Sequence, residues 1–161
     1  VANGGTAFGE NGSRDGKAVS SIRHSGFAVL QICLSYFETI GRYTGATGGS
    51  SAAFRKGVLQ VFPDLSKQPP KDVDAAVNEL YSSVRCGLYH NTRTAKVALG
   101  GFKDPIFYDI THQVVAVSPE LLPRALKAHL QQFCTDLLDP KNPLRAPFEK
   151  QFDKDAGQPK S

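Results

Sequence analysis

The chain has 161 residues, 40% hydrophobic and 21% charged, which suits one globular domain with a real core and leaves little room for two. Lys and Arg number 19 against 15 Asp and Glu, and the resulting formal charge of +4 is too small by itself to mark a nucleic-acid binder. No apolar run approaches the roughly 18 to 20 residues of a membrane span, and the first residues lack the apolar centre of a secretory leader, so the sequence points to the cytoplasm. The chain opens on Val1 and contains no Met, which leaves the native start open.

Residues 1–20 are Gly, Ser, Asn and charge, a composition expected to be disordered or loosely packed. A helix is predicted over "IRHSGFAVLQICLSYFETIGRY". Phe27, Leu30, Leu34 and Phe37 make one apolar stripe, and Val29, Cys33, Tyr36 and Ile40 make a second beside it. A surface that broad implies burial on two sides, as in a bundle or a dimer. "TGATGGSSA" breaks the helix with three glycines, and a serine at its end is placed to cap the next. The loop lacks the Gly-Lys-Ser/Thr ending of a phosphate loop. A short second helix, "SAAFRKGVLQVFP", stops at Pro63. After the loop "DLSKQPP", Pro70 is placed near the first turn of a third helix, with Val73, Val77, Leu80, Val84 and Leu88 on one face and an end near Asn91.

The period then changes. "AKVALGG", "PIFYDI" and "QVVAVS" read as a small antiparallel hairpin or meander. A long helix follows over "SPELLPRALKAHLQQFCTDLLDP", with Leu126, Leu130, Phe133 and Leu137 inward and Pro123 in its first turn. A last short helix covers "PLRAPFEKQF", leaving 153–161 as a polar tail. The expected fold is mostly α, a helical bundle with a small β insertion before the C-terminal helices, in a single domain over 21–152.

The three cysteines, Cys33, Cys86 and Cys134, lie far apart with no CxxC or Cys/His ligand spacing, so they read as buried free thiols and no metal site is expected. Nucleophile elbows, zinc-binding helices and dinucleotide fingerprints are absent. His24, His112 and His129 fit structural or solvent roles. His90 differs by its company, "YSSVRCGLYHNTRTAKV". No acidic residue falls between Glu79 and Asp104, while Arg85, Arg93, Lys96 and Lys103 do. Such a gap is either a solvated basic edge or a local field that attracts phosphates. On a regular α-helix Arg85 and His90 stand about 140° apart, so they converge only if the helix bends near Gly87 or a second copy supplies one of them.

The string "VRCGLYHNTRT", an Arg and a His at the end of a helix in a helical domain, resembles the HEPN superfamily, and the apparent helix–hairpin–helix order is similar over most of the chain. The resemblance implies an HEPN-like bundle, a homodimer, no cofactor, and a metal-independent endoribonuclease acting at a dimer cleft. Arg85 and His90 would then be catalytic, with Tyr89, Arg93 and Lys96 binding RNA. Glu38 is a possible polar partner of the site, though a role as an exposed helix residue is favoured, and Asn91 reads as a helix cap. Cys86 stands where family members often carry a polar residue. That departure favours the alternative, a non-catalytic module that binds a nucleotide, RNA or a protein partner, as in toxin–antitoxin or defence systems.

Overall fold

The computed structural model describes residues 13–14, 17–18, 25–67, 69–86, 97–109 and 112–157. The chain is mostly helical with a small sheet. Two short strands, β1 (Ser13–Arg14) and β2 (Lys17–Ala18), pair antiparallel near the N-terminus. Helix α1 (Ser25–Tyr43) supplies the core with Leu30, Cys33, Leu34, Phe37 and Ile40, so the two adjacent stripes are both used. It ends where Gly45 adopts φ +84°, a left-handed conformation that closes the helix through Gly45 N–H to Arg42 C=O at 3.0 Å.

Helix α2 (Ser50–Val61) packs back along α1 and stops before Pro63, as the sequence indicates. Its N-cap is Gly49, with no side-chain cap bond, so the expected serine cap is not formed. A 3-10 turn (Pro63–Lys67) leads to α3 (Pro70–Glu79), which begins on Pro70, where a missing N–H is harmless. The expected continuation of α3 is not α-helical: Leu80–Cys86 forms a π-helical segment. Its wider i→i+5 turn shifts the side chains that follow Leu80 relative to α geometry. Leu88 lies outside the described residues.

The sheet has β3 (Val97–Leu99), β4 (Ile106–Asp109) and β5 (Val114–Val117) in the order β3-β5-β4. The β4–β5 pair is antiparallel as expected, but β3 pairs with β5 in parallel, which corrects the all-antiparallel expectation. Val115 and Val117 are fully buried in the same cluster as Phe37, Phe54 and Val77, so the central strand is part of the main core. Helix α4 (Leu121–Leu138) carries Pro123 in its first turn, and Ser118 Oγ accepts from Leu121 N–H at 3.1 Å just before it. Leu122, Leu126 and Phe133 are buried, whereas Leu130 is 45% exposed, contrary to its expected inward position. Cys33 is a buried free thiol, but Cys134 is exposed, a second correction. Helix α5 (Arg145–Asp155) extends into the stretch expected to be tail. No described helix is long and apolar enough to cross a membrane.

Candidate polar site between α1 and the π segment

Glu38 lies on the α1 face that looks toward the π segment. Its Oε2 accepts from Arg85 Nη2 at 2.8 Å, and its Oε1 accepts from Arg42 Nη2, one turn along α1, at the same distance. Arg42 Nη2 also donates to Ser50 Oγ at 3.0 Å, which ties the first turn of α2 into the group. Two guanidiniums meet the one carboxylate of Glu38. The Glu38 side chain is only 14% exposed and Arg85 26%, which makes these contacts stronger than ordinary surface pairs. Burial pushes the Glu38 carboxyl upward, but hydrogen bonds involving Arg42 and Ser50 and the charge of Arg85 outweigh it, and the group is held below the usual carboxylate range.

The π segment explains how Arg85 reaches α1. With i→i+5 bonding, residues five apart lie much closer to one face than the roughly 140° that separates them on an α-helix. Arg85 therefore lies nearer the face of Leu80, which is a core residue, than α periodicity would allow. The sequence reading favoured Glu38 as an exposed helix residue; the structure buries most of it, because α2 and the π segment flank that turn of α1. Arg42 and Ser50 were not anticipated, although the Glu38/Arg42 spacing of four at the end of an apolar helix is a readable signal. Of the residues singled out from sequence, Arg85 is placed here. Tyr89, His90, Asn91, Arg93 and Lys96 lie outside the described residues.

A second polar contact joins α1 to α4. Tyr36 Oη and His129 Nδ1 share a hydrogen bond of 2.7 Å, and the imidazole ring stacks on Phe133 at 6.2 Å between centroids. Burial lowers the His129 pKa against the pull of Asp136, and burial, aided by nearby Cys134, pushes Tyr36 up to about 12. The signs fix a window. His129 has a depressed folded value, so its contribution is present above about pH 6.5 and is lost as pH falls below it. Tyr36 has a raised one, so its contribution is present below about pH 10 and is lost as pH rises toward its folded value. Urea stability measured across this range should therefore fall at both ends. The acid limb should flatten in His129→Leu and the alkaline limb in Tyr36→Phe; limbs unchanged in these variants would assign the pH response elsewhere.

Compared with known proteins, the chain matches no family model, no curated protein and no solved structure.

Proposed function

We propose that this protein is an endoribonuclease of HEPN type, with Arg85 and His90 at the cleft of a homodimer. The observation that carries this reading is the Glu38–Arg85 bond, which holds a guanidinium beside a second arginine in a partly desolvated cluster. A held guanidinium stabilises the charge that develops on a phosphorane without reorganising. His90, near-neutral in pKa as a residue type, would take the ribose 2′-OH proton or protonate the leaving 5′-oxygen. The nucleophile is internal to RNA, so the reaction needs no metal or cofactor. Arg93 and Lys96 would hold flanking phosphates and Tyr89 would stack on a base.

A specific observation favours the second reading, a binding or regulatory module: Arg85 already donates to Glu38 on α1, so it serves as a structural tie between the two elements. In that case the cluster is an interface or anion site without turnover, and the protein acts through an RNA, nucleotide or protein partner.

The test is incubation of a mixed single-stranded and structured RNA pool with the protein in EDTA. The nuclease reading expects products ending in 2′,3′-cyclic phosphate. Removing an oriented charge donor costs about a hundredfold to a thousandfold, so Arg85→Ala, folded and dimeric, should lose cleavage to that extent. His90→Ala should lose it as well. Arg85→Lys keeps the charge but not the fork and should recover little. Bound but uncut RNA with the wild type would move the assignment to the binding module.

A further inference from the structure

Between α3, the turn that precedes it and β4 lies a groove of about 410 Å³. One wall is Phe62, Leu65, Val73 and Ala76; the other is the continuous run 104–108. Successive residues of a strand point to opposite faces, so a wall that includes every residue of the run is the strand's edge and not one of its faces. The sheet order β3-β5-β4 leaves β4 at that edge among the described residues.

The pairing register says which backbone groups face the groove. Ser118 N–H donates to Pro105 C=O at 3.0 Å, which makes 105/118 a hydrogen-bonded pair. Antiparallel pairs alternate, so 107/116 and 109/114 are bonded and the N–H and C=O of Ile106 and Tyr108 point away from β5. Among the described residues no other backbone bond reaches them. These groups repeat at about 6.8 Å, the two-residue step of an extended chain.

Charge selects the kind of chain. Asp64, Asp72 and Asp104 rim the groove, and among the described residues none that lines it is basic. Asp64 is shared with Lys67 at 2.6 Å, while Asp72 and Asp104 have no ion-pair partner among the described residues. Phe107, 51% exposed, offers an aromatic face to the stem or head of a Lys or Arg. We infer that this groove binds an extended basic segment of a partner protein, which adds as a further strand to the open edge of β4. Main-chain bonds to Ile106 and Tyr108 supply the affinity, and the aspartates select lysine or arginine at alternate positions. The site is separate from the Glu38–Arg85 cluster and does not depend on the nuclease reading.

The test titrates the 15N-labelled full chain with a blocked heptapeptide alternating lysine and valine. Saturable shifts of the Ile106 and Tyr108 amides are expected, with none from the glutamate–valine counterpart. The double variant Asp72→Asn/Asp104→Asn should weaken binding about fivefold, as loss of two partly exposed ion pairs implies. N-methylating alternate peptide amides should abolish binding in one phase and spare it in the other. Absence of saturable shifts up to about 1 mM peptide would overturn the proposal. Equal binding of both methylated phases, or undiminished binding by the double variant, would overturn it too.

Discussion

Gly57→Ala and Gly41→Ala should each destabilise the fold by about 3 kcal/mol, at the upper end of what overpacking costs, although alanine is the better helix former by about 1 kcal/mol. The two glycines are where α1 and α2 touch backbone to backbone. A Cβ built on Gly57 overlaps the carbonyl of Phe37, and one built on Gly41 overlaps the carbonyl of Ala53. Neither obstacle is a side chain that can swing aside; one helix has to move. That movement would open the contact beneath it, where Phe37 and Phe54 pack edge to face at 5.6 Å and both are fully buried. Gly49→Ala is the control: its Cβ would meet nothing within 4 Å and its φ is −80°, so only the poorer N-cap is felt and a loss of no more than about 1 kcal/mol is expected. Urea unfolding reads the comparison, with a lower midpoint and an unchanged slope for the two buried sites. In thermal scans the same loss corresponds to about 6–12 °C. Midpoints like that of the control would mean that the helices are further apart than described.

Those glycines show where sequence reading stops. Gly41 lies inside a helix whose apolar stripes were legible, and a stripe reports which face is buried but not how closely a facing backbone, here that of Ala53 and Gly57, approaches. Pro63 and Pro70 marked boundaries correctly because their effect is local: a missing N–H and a fixed φ act whatever the tertiary context. The change of period after residue 96 gave three strands for the same reason. The parallel pairing of β3 with β5 was not legible, since period-two alternation is blind to strand direction. At the polar site the limits were similar. Arg85 was marked by its chemistry, but its partner Glu38 is 47 positions away, and the π turn that brings them together has no periodic signature of its own. Leu130 and Cys134 failed differently: they continue the apolar rhythm of α4 on a flank that no other described element covers fully.

Replacing Glu38 by alanine should cost about 2 kcal/mol, less than the about 3–5 kcal/mol of a fully buried pair because Arg42 is 39% exposed. The loss has two parts. The hydrogen bonds to Arg42 and Arg85 disappear, and two guanidiniums are left facing each other without the carboxylate that joins α1 to the π segment. Glu38→Gln keeps one acceptor oxygen and should lose less. The pH response separates charge from packing. The folded pKa of Glu38 lies below its unfolded value of about 4.3, so the wild-type advantage over Glu38→Gln is present above that pH and is lost as pH falls through the folded value. An advantage that persisted to strong acid would mean that the carboxylate charge contributes nothing. The same variant discriminates between the two functional readings. One negative charge fewer should raise RNA affinity in either case. Cleavage should fall only if Glu38 orients Arg85 for chemistry, because a guanidinium released from its carboxylate no longer waits in the geometry that the transition state requires.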